Sequence, residues 1–382
     1  MNCSFDTLVV GAGLAGACAA AELARHERVL LVDASHPAAG ASGVGAGLAS
    51  PLMGLRSRPP WRVREALPAL DRLIDAADFR PHVRSGLLRS AMTPQQAEDC
   101  RKSAEEFPDM ARWHAEPLTG ETTDPTDTKG WSFVRAPFGL LDIYGGMTLS
   151  IPEFVDAVVR LAVRRGAVTR FPARLRRWHA SAGADACVTA HFADGAPVVA
   201  RRMLLALGGG MLPPWCGELM RGQLPRLHLH AVKGQSVRVA RPAGLPPATD
   251  AAAMLPSLSG AGYIVDEGDT FFVGSTYEHT FSHMEPDVDM GDALLDRAIT
   301  MMPSLAGSPV VERLAGCRAT VPGIRLPMVG PLPGTPGVHV FTGLGSKGLI
   351  LAPLLAEEIP HYFRHPEAIP EEIRVAVRPR NR

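Results

Sequence analysis

Four apolar or β-branched residues, Thr7, Leu8, Val9 and Val10, run directly into Gly11-Ala12-Gly13-Leu14-Ala15-Gly16 and then into an alanine-rich stretch ending near Ala24. That order predicts strand, tight turn and helix. A second apolar run, Val29, Leu30, Leu31 and Val32, closes on Asp33, about 20 residues beyond the first glycine, as in a dinucleotide-binding βαβ unit. Each position has a physical reason. Gly11 permits the turn, and Gly13 lets a pyrophosphate reach the backbone of Leu14 and Ala15 at the positive end of the helix. Gly16 lets helix and strand pack closely, and Asp33, with Ala34 beside it, accepts hydrogen bonds from a ribose.

The motif by itself leaves FAD and NAD open. A second small-residue loop, Gly40-Ala41-Ser42-Gly43-Val44-Gly45-Ala46-Gly47 followed by Leu48, favours a flavin. Ser42, Gly43, Gly47 and Leu48 would set backbone amides against its pyrophosphate or ring, for which a nicotinamide site has little need. A chain of 382 residues, 46% of them hydrophobic, has enough length and apolar surface for two domains. Lys and Arg total 39, as do Asp and Glu, which argues against bulk electrostatic binding to nucleic acid as the main role. The six cysteines, at 3, 18, 100, 187, 216 and 317, show neither C-x-x-C nor zinc-ligand spacing. They fit a reducing cytoplasm better than a disulfide framework. No signal-like start is present, and no continuously apolar run approaches the roughly 18 residues of a membrane span.

Three further segments carry a resemblance. Leu204-Leu205-Ala206-Leu207-Gly208-Gly209-Gly210 is an apolar run feeding a glycine turn, Val232-Lys233-Gly234-Gln235 opens another strand, and Val338-His339-Val340-Phe341-Thr342-Gly343-Leu344-Gly345-Ser346-Lys347-Gly348-Leu349 feeds a last helix. With the N-terminal segments they resemble the D-amino acid oxidase and glycine oxidase superfamily of FAD-dependent amine oxidases, over nearly the whole chain. The resemblance implies FAD as cofactor and an α/β fold, α+β overall. A glutathione-reductase-like Rossmann FAD-binding domain (1–80, 141–216 and 311–382) would carry a mixed-sheet substrate domain (81–140 and 217–310). Beyond the N-terminal loops, Ala206, Gly208, Gly209, Gly343, Gly345, Ser346, Lys347, Gly348 and Leu349 would face the cofactor, with the last helix presenting its N-terminus to the flavin. Gly40-Ala41-Ser42-Gly43 and Pro327-Met328-Val329-Gly330 make the chain most similar to the oxidase half of the bifunctional enzyme that builds 5-methylaminomethyl-2-thiouridine in tRNA. Since this chain begins at the FAD motif, the resemblance implies a standalone oxidase.

The implied chemistry is hydride transfer from the C–H of a glycine-like or N-substituted glycine amine to flavin N5, hydrolysis of the imine, and reoxidation by oxygen. Arg318 matches the family's carboxylate anchor, Tyr263 its substrate-facing hydroxyl, and Lys347 would place positive charge at the flavin N1/O2 edge. Cys317 stands near the position through which the sarcosine oxidase branch attaches its flavin, although a buried cysteine more often serves as a small hydrophobe. A small-molecule amine is the leading substrate, with the carboxymethylaminomethyl-uridine of a tRNA as the alternative and a partner-dependent or noncatalytic flavoprotein as a third reading. Two basic clusters, Arg56, Arg58, Arg62 and Arg64 around Trp61, and Arg174, Arg176 and Arg177 beside Trp178, are candidate tRNA contacts. His228 and His230 alternate on an expected strand without a third metal ligand, and Arg378, Arg380 and Arg382 are expected to fray.

Overall fold

A computed structural model describes residues 3–120, 131–181, 183, 186–212, 215–217, 223–245, 248 and 254–376; the terminal Arg378, Arg380 and Arg382 lie outside them. The first strand, Phe5–Val10, and the next, Val29–Val32, pair in parallel, with Val10 opposite Val32. Helix Leu14–Leu23 joins them and is buried on nearly every side, so it carries no polar face. Three more parallel strands complete the centre of an eight-stranded sheet: Val168–Arg170 beyond Val29–Val32, and Val198–Leu205 then Val338–Thr342 on the other side of Phe5–Val10. The continuous apolar runs Leu8-Val9-Val10, Val29–Val32 and Met203-Leu204-Leu205 reflect burial on both faces. One face packs on the first helix, on Ile151–Arg164 and on the last helix, Gly348–Arg364; on the other, Leu8, Val10, Met203 and Leu205 cluster with Met211, Leu212 and Leu227.

A second, nine-stranded sheet is mixed. Its order runs Val310–Thr320, His230–Ala240, Thr270–Gly274, Tyr263–Asp266, Ser257–Ser259, Arg84–Ser90, Leu140–Ser150, Ala46–Ala49, with Ala111–His114 added on Leu140–Ser150. Among the described residues only Ser257–Ser259 and Arg84–Ser90 pair in parallel in this sheet. Helix Val288–Met301 packs Leu294, Ala298 and Met301 against Val237, Val239 and Phe271 of this sheet. Segments expected for the cofactor domain thus supply strands Ala46–Ala49, most of Leu140–Ser150, and Val310–Thr320 to the second sheet. Strand His230–Ala240 starts at His230, so His228 precedes it rather than alternating along it.

The two sheets meet along Val310–Thr320. Thr320 bridges to Leu344, and Gly345 donates its N–H to the Ala319 carbonyl at 3.0 Å. All six cysteines are free, and among the described residues no helix is long and apolar enough to cross a membrane.

His339, on the strand leading to the last helix, packs edge-on against Phe363 at 4.6 Å, and its Nδ1 is buried without a partner. Burial, with Arg202 nearby, drops its pKa from 6.5 to about 4. Protons therefore bind the unfolded chain first, and the stability present above pH 6.5 is lost as pH falls through about 4. In urea titrations a His339→Phe variant should gain on the parent by about 1–3 kcal/mol over that range. Parallel pH profiles would show this assignment to be wrong.

Candidate active site

The N-terminal turn is built from close approaches that exclude side chains. Gly11 sits at φ +108°, and a Cβ there would overlap the Ala206 carbonyl; one on Gly16 would overlap the Gly11 carbonyl oxygen. Asp33 braces the turn, its Oδ2 accepting from the Ala12 N–H at 2.8 Å and its Oδ1 from the Ser35 N–H at 2.9 Å. Gly13 caps the helix without a side chain, and Ser42 Oγ accepts from the Leu14 N–H at 3.1 Å. The second loop therefore reaches the helix N-terminus. So does the last helix: a Cβ on Gly348 would lie 3.3 Å from Leu14 Cδ1, so both helix starts share one region. First-turn amides have no intrahelical acceptors, and two such termini favour a bound anion. This donor set and the glycine cradle fit a dinucleotide pyrophosphate.

Not every residue expected there has the same surroundings. Ala15 is buried with its helix, and Ala34 and Ser346 are exposed. Gly47 is lined by packing, since a Cβ would stand 2.6 Å from Ile151 and 2.8 Å from Leu349. Leu48 packs with Leu52 and Val63. Gly43 lies in a short turn against the Ala38 carbonyl. Gly208 and Gly209 open the turn Gly208–Met211, whose Gly209 faces Cys317; a Cβ on Gly209 would be 3.2 Å from the thiol sulfur. Burial pushes the Cys317 thiol up, which suits a small hydrophobe. Gly343 and Gly345, both at positive φ, turn the chain toward Lys347, which caps the last helix and donates from Nζ to the Arg325 carbonyl at 3.0 Å. Burial, then Arg325, lowers the Lys347 pKa.

Arg318 and Tyr263 share one face of the second sheet. Val232 pairs with Arg318, Ser236 with Gly274 and Gly274 with Tyr263, so register places all of them on the same side. Glycines form the floor: a Cβ on Gly234 would run into the Arg318 guanidinium, and one on Gly274 would stand 2.6 Å from the Tyr263 ring. Arg318 donates from Nη1 to the Thr276 carbonyl at 3.1 Å and from Nη2 to Ser275 Oγ at 2.8 Å, while the Tyr277 ring lies 4.7 Å from its guanidinium carbon. Among the described residues no carboxylate reaches ion-pair distance of Arg318. Tyr263 stacks on Phe272, and burial pushes its pKa up to about 12 against the opposing pull of Arg318. The same face meets the second loop, for a Cβ on Gly316 would stand 2.7 Å from Val44. Gly274, Ser275, Thr276 and Tyr277 were not singled out as site residues by sequence reasoning. Two strand glycines, Gly234 inside His230–Ala240 and Gly274 at the end of Thr270–Gly274, were the available signal.

The basic clusters look different in space. Arg58 pairs with Glu106, Arg62 with Glu65 and Glu358, and Arg64 with Asp109, while Trp61 donates to Glu372. Their charge is largely met from within the chain. Trp178 is 2% exposed, so it presents no face for a base, which removes the aromatic from the second cluster. Among the described residues no three metal-ligating groups converge.

The chain matches the family of FAD dependent oxidoreductases over residues 6–360. It belongs to that family. The family depends on FAD, and the glycine cradle and paired helix termini supply the backbone donors such a cofactor needs. The chain is 28% identical to a glycine oxidase of Pseudomonas aeruginosa, over 91% of each. It is 29% identical to the tRNA 5-methylaminomethyl-2-thiouridine biosynthesis bifunctional protein of Polaromonas sp., over 97% of this chain but 58% of that relative's length. A glycine oxidase structure from Geobacillus kaustophilus shares the fold, with a TM-score of 0.73 at 21% identity over 94% of this chain and 95% of that one.

Because Gly11 is held against Ala206 at positive φ, Gly11→Ala should cost about 3 kcal/mol or more through overlap and strain. The purified variant should lack flavin absorbance and unfold at lower urea. A yellow variant of parental stability would contradict the cradle.

Proposed function

We propose that this FAD-dependent oxidoreductase oxidises glycine-like or N-substituted glycine amines to imines that water hydrolyses. The observation that carries the reading is Arg318, a half-buried guanidinium whose hydrogen bonds among the described residues go to neutral acceptors, on the face shared with Tyr263 and the cofactor loop. A cation left without an acid in a partly desolvated place suits a substrate carboxylate. Bound FAD supplies the hydride acceptor and passes the electrons to oxygen.

Within this reading the backbone of Gly11, Gly13, Leu14, Ala15, Gly16 and Gly348, with Ser42 and Asp33, holds the cofactor. Arg318 takes the carboxylate edge-on and fixes the direction of the α-carbon. Tyr263, with its pKa near 12, stays neutral and gives or accepts a hydrogen bond rather than removing a proton. Lys347 contributes positive charge beside the last helix's N-terminus. No paired carboxylates are needed, since a neutral amine and correct orientation suffice.

A second reading keeps the chemistry and places the same carboxymethyl-amine on a tRNA uridine. It is favoured by similarity to the bifunctional tRNA-modifying relative, and the ion-paired arginines add nothing to it. Turnover of modified tRNA with no turnover of free N-substituted glycines would select it.

Arg318→Ala should raise KM for sarcosine roughly 10–100-fold, the worth of a charge-assisted hydrogen bond pair, with FAD content unchanged. Gly234→Ala meets only the flexible end of Arg318, so it should raise KM in the same direction at near-parental stability. Parental KM in Arg318→Ala, or loss of FAD with it, would remove Arg318 from the role of anchor.

A further inference from the structure

The strand that gives Arg318 its glycine floor carries, on its opposite face, an ionic network whose Lys233 and Gln235 are buried and whose acids are partly exposed. Lys233 is 1% exposed, yet its Nζ donates to Asp287 Oδ2 and to the Glu285 carbonyl, both at 2.8 Å. Gln235 donates from Nε2 to Asp287 at 2.7 Å and to Glu278 at 3.0 Å, and its Oε1 accepts from the Asp287 N–H at 2.6 Å. Thr276 Oγ1 accepts from the Gln235 N–H at 2.9 Å and donates to Glu278. Backbone bonds run both ways between Lys233 and Glu278, at 2.9 and 3.0 Å.

These bonds hold a bulge. From the Ser236–Gly274 pair to the Lys233–Glu278 bridge, the chain takes one more residue on the 274–278 side than on the 233–236 side. An extra residue of this kind re-aims backbone and side chains. Here it places the Thr276 carbonyl and Ser275 Oγ where Arg318 donates, and puts Tyr277 over the guanidinium. Four polar side chains on the far face therefore set the acceptors that orient the cation on the near face.

We propose that Lys233, Gln235, Glu278 and Asp287 are positioning residues for Arg318, fixing the bulge Ser275–Tyr277 and through it the affinity for a substrate carboxylate. The inference rests on the reading of Arg318 as carboxylate anchor. Among the described residues none of the four is hydrogen-bonded or ion-paired to Arg318; the coupling runs through Thr276 and Ser275.

The test uses the FAD-loaded protein, with Lys233→Met as the strong variant and Thr276→Val as the mild one, each alone and combined with Arg318→Ala. The probes are sarcosine turnover and the flavin absorbance change on titration with acetate, a carboxylate that has no amine to oxidise. Each variant that purifies yellow should raise the sarcosine KM and the acetate Kd by roughly 5-fold or more with kcat within about 2-fold, and add less than about 2-fold once Arg318 is gone, as coupled sites do. If Lys233→Met does not fold, Thr276→Val decides. A yellow variant with parental KM and Kd, or one whose effect persists in full without Arg318, overturns the positioning role. Failure of Arg318→Ala alone to change either constant refutes the anchor instead.

Discussion

The strand Val310–Thr320 is the constraint on which the rest of the molecule depends, because every part of the site is referred to it. Gly316 makes room for Val44 of the second loop, Cys317 fills the space beneath Gly209, and Ala319 and Thr320 bond the turn that starts the last helix. Arg318 projects between these contacts onto Gly234 of the next strand. A single β-strand thus fixes the distances among three loops that approach the cofactor region and the Arg318 guanidinium, the proposed carboxylate anchor. A shift of one residue in its register would exchange Arg318 for Cys317 on the working face.

The site divides its labour between backbone and side chains. Around the dinucleotide cradle most of the work is done by missing side chains and by helix starts, which offer fixed dipoles to an anion without bringing a charged group that must be desolvated. On the second sheet the reverse holds. A full charge is brought into a half-buried position, and its hydrogen bonds are met by a carbonyl and a hydroxyl, which satisfy the donors without cancelling the charge. The proposed oxidation of an amine in such a place would turn on orientation, and the glycine floors under Arg318 and Tyr263 would provide it without mobile side chains.

The first half of this architecture was legible in the sequence because it is local. Strand, turn, helix, strand and acid lie within one stretch of chain, and their steric reasons can be read from Gly11, Gly16 and Asp33 directly. Leu204 and Val338 announced their strands by apolar runs, and Val232, Arg318 and Tyr263 were singled out by likeness to a family pattern. What could not be read was pairing across long separations. That Gly234 underlies Arg318, that Gly274 underlies Tyr263, and that Lys233 reaches Asp287 are facts of register between strands far apart in sequence. Surface charge misled for the same reason: Arg58, Arg62 and Arg64 read as a basic patch until their acids, from as far away as Glu358, were placed beside them.

The central claim is that a carboxylate on the amine, received by Arg318, is what makes a substrate. The most direct measurement is the absorbance spectrum of the anaerobic holoprotein on addition of glycine, sarcosine or other N-substituted glycines, set against the same amines lacking the carboxyl group. The account predicts bleaching of the flavin by at least one carboxylate-bearing amine and none by its decarboxylated counterpart. Equal bleaching by both, or bleaching by the decarboxylated amine alone, would contradict it.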